Sequence, residues 1–313
     1  MKISKCDAKQ WDAFVEKSPQ GIVFCQTYFL QCYDKNVTYL LCHKGKEVVA
    51  GTAFVDSGEA IDVMPYQPYG GIIIKDLSGL NDYRRNYLVY CILEKFASYL
   101  FDNYSQVRMN FHWDILDMRP FTWFNYHDRE KGYFKVSARY TSLLNISNPK
   151  DTSGYQVLRR RSLKASEKAN CCTIETDNVD VLNRLHEKTF NRQGIRRSEE
   201  EGVYLTNICK HLIKLKKGHL FITKAESKPA SGSFFLVDSF RAYYLFGATD
   251  PKLRGYESGT KNLYDAFCYL NSENGCEEID FVGVNSPQRG AYKLSFGGKL
   301  VPYFLVEKVH GKN

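Results

Sequence analysis

Hydrophobic positions along this chain fall into short β-type runs separated by longer stretches of helical period. Val37–His43 is an apolar run, Lys44-Gly45-Lys46-Glu47 has the composition of a hairpin turn, and Val48–Val55 follows as a second strand. Far downstream the pattern returns, with Gly218–Thr223 as a strand, Lys224–Lys228 as a turn and Ala230–Val237 as the partner. Tyr69–Ile74 and Arg241–Ala248, each aromatic or β-branched and each holding glycine, are the third strands. A helical pattern comes next in both places. Tyr83–Phe101 brings Tyr87, Cys91, Leu93 or Glu94, and Ala97-Ser98 near helical spacing, and Gly259–Leu270 places Leu263, Phe267 and Leu270 on one face. Strands at Gln106–Trp113 and Glu278–Val284, then at Phe134–Ile146 and Leu300–Val309, close the two sets.

The order strand, strand, strand, helix, strand, strand therefore occurs twice, at an offset of about 180 residues. The expectation is a mixed α/β fold of two similar domains, residues 1–147 and 148–313, each a mixed and mostly antiparallel sheet flanked by helices. Between them Asn148–Gly154 is a turn-rich linker, followed by a helix over Tyr155–Lys168 that carries Arg159, Arg160, Arg161, Lys164 and Lys168. Such a basic run is ordinarily a solvated helix face; the sharper alternative is that it faces an anionic ligand or tRNA. Val179–Phe190 and Val203–Leu215 read as two more amphipathic helices.

Composition narrows the classes. The chain has 313 residues with 43% hydrophobic and 25% charged, which suits a folded core of about two domains at roughly 150 residues each. No apolar stretch approaches the roughly 18 residues of a membrane helix, and Met1–Asp7 has no apolar signal core behind it, so a cytoplasmic protein without membrane or DNA partners is expected. The net charge of +8 favours anionic partners, among which a diphosphate serves as well as a nucleic acid. The ten cysteines include no C-x-x-C, and the close pairs Cys42-His43 and Cys209-x-His211 have no second half. Reduced, packed thiols and no metal are expected.

Several stretches carry a resemblance. Ile279–Gly298 holds I-D-F-V-G-V and then A-Y-K-L-S-F-G-G; Arg159–Asn170 is a basic R-x-x-x-K-A helix; Glu187–Ile195 reads E-K-T-F-N-R-Q-G-I; and Pro65–Gly71 ends in Y-G-G. With the double strand-and-helix order, these resemble the tandem-GNAT acyltransferases, which include the Fem-type aminoacyl transferases of peptidoglycan and shorter acyl-CoA-dependent relatives acting on nucleotide-linked amino sugars. The resemblance implies a coenzyme A thioester as co-substrate, with its pantetheine arm in the gap where the third strand splays from the next. In GNAT proteins Q/R-x-x-G-x-G/A cradles the pyrophosphate; here Asp250–Thr260 reads D-P-K-L-R-G-Y-E-S-G-T, with altered glycine spacing. Backbone N–H groups at a helix start beside cations still suit a diphosphate, so Lys252, Arg254, Gly255, Ser258 and Gly259 are the donor-binding candidates. The corresponding Lys75–Asn81 of the first half has no basic glycine turn, which places the donor in the second half.

Attack of an amine on a thioester needs a neutral nucleophile, a polarised carbonyl and a protonated leaving thiolate. Tyr292 matches the tyrosine that many GNAT members use as thiolate acid, with aromatic packing on the last strand as the alternative. Lys293 is a phosphate-binding candidate, and Asn285, past a strand end, a candidate for the pantetheine amides. His112 and Asp114, at the matching strand end near the cleft between the halves, are general-base candidates, and Asp280 is a base or an ion-pair partner. Tyr66, Gln67, Tyr69 and Arg192 are the acceptor-binding set, placed to stack on or pair with a nucleotide. Three functions compete: an acyl-CoA-dependent N-acyltransferase on a dTDP-type amino-dideoxy sugar for surface polysaccharide, a Fem-type aminoacyl-tRNA transferase, and an inactive GNAT-like binding module. No heptad segment long enough for the coiled-coil arm common in Fem enzymes occurs.

Overall fold

The computed structural model describes residues 1–55, 58–192 and 194–311. Its strands are β1 (Lys2–Lys5), β2 (Val37–Lys44), β3 (Glu47–Val55), β4 (Ala60–Ile61), β5 (Ile73–Ile74), β6 (Gln106–Asn110), β7 (Tyr133–Asn145), β8 (Cys172–Glu175), β9 (Gly218–Ala225), β10 (Lys228–Val237), β11 (Arg241–Thr249), β12 (Glu278–Asp280) and β13 (Lys299–Val309). The chain forms two compact units, Met1–Arg139 with Pro302–Asn313, and Tyr140–Val301.

In the first unit β1, β2, β3 and β5 make an antiparallel sheet. A second set joins β4 to β6 in parallel and β6 to β13 in antiparallel sense. The long helix Asp82–Asn103 starts where Asn81 caps the Arg84 amide at 3.0 Å. It buries Ile92, Leu93, Phe96 and Leu100 in a core with Phe111, Phe121 and Val306. Trp11 anchors the N-terminal helix Ala8–Val15 by donating Nε1–H to the Cys25 carbonyl at 2.7 Å.

In the second unit β8 to β10 run antiparallel and β10 pairs β11; β11 then pairs β12 in parallel, and β12 pairs the end of β7. The β9–β10 turn at Glu226-Ser227 has positive φ at both residues (49° and 62°), the left-handed geometry that suits a tight hairpin. Helix Glu199–Lys214 opens with a Ser198/Glu201 capping box, and Glu199 and Glu200 complement its dipole. Helix Ser258–Asn274 packs Leu263, Ala266, Phe267 and Leu270 against Phe235, Ile279 and Phe296.

The expected division after residue 147 differs from the observed one. The strand closing each half of the sequence runs through a change of unit: Leu143–Asn145 of β7 pair with β12 in the second unit, while Leu305–Glu307 of β13 pair with β6 in the first. A linear cut cannot describe such an exchange. Among the described residues no helix is long and apolar enough to cross a membrane.

Candidate active site

The second unit concentrates its polar chemistry where β11 and β12 part. The two strands pair over only Arg241–Tyr243 and Glu278–Asp280, after which β11 continues to Thr249 while β12 ends. A register shift at Phe234/Phe235 of β10 bends β11 further. Beyond Asp280 the backbone turns sharply: Val282 has φ 45° and Gly283 φ 121°. A β-branched residue at positive φ is a true outlier and persists only when its surroundings fix it. Here they do. Asp280, fully buried, accepts the Val282 N–H at 2.7 Å and the Thr141 hydroxyl at 2.6 Å. Thr141 Oγ1 in turn accepts the Gly283 N–H at 3.1 Å, and Lys293 Nζ donates to the Phe281 and Gly283 carbonyls at 2.7 and 2.9 Å. Burial pulls the Lys293 ammonium down to about 8, with the Asp280 charge opposing and Arg289 adding to the fall.

The A-Y-K-L-S-F segment is a helix, Pro287–Leu294, not part of the last strand. Pro287 at its first turn starts it, and a Cβ on Gly290 would lie 2.4 Å from the Val284 carbonyl oxygen, so glycine lets the helix sit on the strained turn. That helix presents both Tyr292 and Lys293. The Tyr292 ring packs edge-on against Phe296 at 5.4 Å, and the Arg159 guanidinium lies 5.0 Å from its ring centroid. Arg159 Nη1 donates to Thr260 Oγ1 at 2.7 Å, which brings both side chains to the tyrosine. Burial raises the phenol to about 12 while Arg159 and Thr260 pull it back, so the proton-donating form prevails at neutral pH. Arg159 Nε is buried without a hydrogen-bond partner among the described residues, and Glu257 stands 4.0 Å from Nη1.

Of the five cations on helix Val157–Lys168, Arg159 turns inward beside the buried Ser162, Leu163 and Ser166, while Arg160, Arg161, Lys164 and Lys168 are exposed. The sequence named all five together and missed Thr260, Thr141 and Glu257 altogether.

The donor-binding candidates divide. Lys252, Arg254 and Gly255 are exposed on a short 3₁₀ helix, Pro251–Tyr256, which Asp250 caps by accepting the Lys252 N–H at 3.0 Å. Ser258 and Gly259 open the next helix after Glu257, whose φ is 55°. Ser258 Oγ is buried and has no partner among the described residues. A Cβ on Gly259 would lie 3.2 Å from Thr249 Oγ1, a tight contact, and at ordinary contact distance, 3.5 Å, from the Tyr292 hydroxyl. Asn285 spends its side-chain amide on the Tyr140 backbone, accepting N–H at 2.7 Å and donating to C=O at 3.0 Å.

The remaining candidates lie elsewhere. Tyr69, expected to contact substrate, is fully buried among Phe24, His112 and Tyr303 at 5.4–6.1 Å. This corrects its expected exposure: the Y-G-G turn points its ring into the first-unit core. Gln67 is buried too, its amide reaching the Phe24 carbonyl at 3.5 Å, and Tyr66 is half-buried with φ 66°. His112 is buried, accepting the Asp114 N–H at 3.1 Å, while Asp114 is exposed and accepts from Gln20 at 2.8 Å. Arg192, exposed at the end of helix Val179–Arg192, belongs to the second unit, whereas Tyr66, Gln67 and Tyr69 belong to the first.

Residues 155–294, within the second unit, match the family model of the acetyltransferase (GNAT) domain. No curated protein matches the sequence. Among solved structures the chain is similar to FemX at 15% identity and TM-score 0.65, covering 97% of each chain. It is also similar to a tandem GNAT protein from the clavulanic acid biosynthesis pathway, at 9% identity and TM-score 0.55 over 100% of this chain and 99% of that one. L-PGS from Bacillus licheniformis matches at 10% identity and TM-score 0.54, over 99% and 94%. At such identities the structures share the fold, a mixed α/β tandem GNAT architecture.

Proposed function

From an N-acyltransferase with a GNAT acetyltransferase domain over residues 155–294, we propose a finer reading. It moves an acyl group from acyl-CoA to the amine of a nucleotide-linked amino-dideoxy sugar by direct attack on the thioester. The observation that carries the chemistry is the Arg159–Thr260–Tyr292 cluster beside the parting of β11 and β12. As the neutral amine attacks the carbonyl carbon and the C–S bond breaks, the Tyr292 hydroxyl protonates the departing thiolate. Arg159, mostly buried and 5.0 Å from the Tyr292 ring centroid, then offsets the developing phenolate charge. The strained turn at Val282–Gly283, held by Asp280, Thr141 and Lys293, fixes the strand end against which the two substrates align. Asp280 thereby supports Lys293 and the backbone; with its carboxylate engaged by Val282 and Thr141 it holds the turn rather than acting as the base. Lys252, Arg254, Ser258 and Gly259 are the proposed diphosphate contacts, and Arg192, exposed in the same unit, is the proposed acceptor contact.

A second reading rests on one observation. The helix whose Arg159 reaches Tyr292 exposes four cations, while the Glu257 carboxylate stands at the start of helix Ser258–Asn274, where a diphosphate would be repelled. An aminoacyl-tRNA donor suits that face better than coenzyme A. Calorimetric titration and melting curves with acetyl- and longer acyl-CoA decide between them. The first reading expects heat and a raised melting temperature, followed by free-thiol release with a dTDP-amino sugar; silence in both assays overturns it.

A further inference from the structure

A groove of about 870 Å³ lies wholly in the first unit, between helix Asp82–Asn103 and the short turn around Pro120. Its walls carry aromatic rings that a folded protein seldom leaves in water: Tyr83 is 78% exposed, Tyr87 63% and Trp123 50%. Tyr83 and Tyr87 stand nearly parallel, at an interplanar angle of 8° with centroids 6.4 Å apart. Two such parallel, exposed ring faces offer a planar ring a surface on which to stack. Behind two of the lining rings, Arg119 is pinned by Asp117 through two bonds of 2.7 Å and lies 5.4 and 5.7 Å from the Tyr90 and Trp123 ring centroids. Lys44, Arg84 and Lys95 also line the groove, against the single carboxylate of Glu94.

Exposed parallel rings, a braced guanidinium and a surplus of cations are together the chemistry of a base with its phosphate. We propose that this groove binds a nucleotide unit, the base stacked on Tyr83, Tyr87 or Trp123 and the phosphate met by Lys44, Arg84 or Lys95. The volume accommodates more than one such unit, so a single-stranded nucleic acid and a free nucleotide are both sources of the same chemistry. No acyl transfer is needed for this binding, and its test is separate from that of the thioester chemistry.

The test uses the full chain with three probes: a fluorescein-labelled six-residue oligoadenylate by anisotropy, AMP by calorimetry, and anionic phosphatidylglycerol vesicles by co-sedimentation. Binding to the oligonucleotide or to AMP is expected, weakened at least tenfold by Tyr83→Ala/Tyr87→Ala, restored by Tyr83→Phe/Tyr87→Phe, and weakened by added salt through Lys95→Glu-sensitive contacts. Much tighter binding of the oligonucleotide than of AMP identifies a nucleic acid as the source; equal affinity identifies a free nucleotide. Because both tyrosines are exposed, the variants should melt with the wild type, and Trp123→Phe serves as a second stacking probe. Binding of neither nucleotide probe, binding indifferent to the double alanine variant, or association with vesicles alone overturns the proposal.

Discussion

The two units treat the space beside their third strands in opposite ways. In the first, the residues between β4 and β6 are packed almost solid: the cavity lined by Phe54, Gly70 and Met109 holds only about 10 Å³, near the least that admits one water. Tyr69 and Gln67, which the Y-G-G turn delivers there, are buried supports. In the second unit the parting of β11 from β12 is bordered by Asp280, Lys293, Tyr292, Arg159 and Thr260, and by a valine held at positive φ. One architecture thus serves close packing in one copy and strain, buried charge and a proton donor in the other. A repeat tells where an element recurs, and only the side chains tell which copy is placed to do chemistry.

The largest expected effect tests the packed side. Tyr69→Ala should cost about 3–5 kcal/mol of stability, the range for deleting a fully buried aromatic ring, read from urea midpoints. A variant that keeps its midpoint while losing acceptor binding would make the first unit a working site and collapse the contrast. On the chemical side, Tyr292→Phe removes only the hydroxyl. Turnover should fall about 100-fold, or ~2.7 kcal/mol, with donor affinity nearly unchanged. An unaltered rate would remove the tyrosine from its acid role and leave it as packing against Phe296.

Titration sharpens the same difference. Burial lowers the Lys293 ammonium from 10.5 to about 8, so between these values the unfolded chain holds a proton that the folded one has released. Stability contributed by this group therefore rises as pH climbs from about 8 to 10.5 and is lost on the way down. The difference in unfolding free energy between wild type and Lys293→Met should grow across that window, since groups common to both cancel. His186 gives a second window. Burial first, then Arg197 and Arg289, hold its imidazole down to about 4, so the wild type should lose stability relative to His186→Gln as pH falls from 6.5 toward 4. A flat difference in either window would show that the group keeps its ordinary titration.

Much of this was legible locally. The hairpins at residues 37–55 and 218–237 followed from composition and turn residues, because alternation and φ > 0 are decided by neighbours in sequence. The expected strand Tyr69–Ile74 shrinks to Ile73–Ile74, and Gln106–Trp113 and Glu278–Val284 stop at Asn110 and Asp280. In each case apolar residues suited to a strand are bent out of it by contacts distant in sequence, such as Thr141 on Gly283. Arg159 could not be told from Arg160 or Arg161 by reading alone, since only packing on helix Ser258–Asn274 selects the inward face. The helical placement of Tyr292 did have a signal: Pro287 followed by a helical period of polar and apolar residues.

The smallest expected effect is the most discriminating. Val282 at φ 45° carries backbone strain of about 1–3 kcal/mol, which glycine would relieve while adding freedom to the unfolded chain. The two contributions oppose each other, so Val282→Gly should leave the urea midpoint within about 1 kcal/mol of wild type. If the strained turn serves only to end β12, acyl transfer should be equally indifferent. If it aligns the strand end for the thioester, loosening it should lower turnover several-fold while Asp280, Thr141 and Lys293 keep their hydrogen bonds. A large loss of stability instead would mean that the valine side chain is needed for packing, and the strain in the second unit would then have no part in its chemistry.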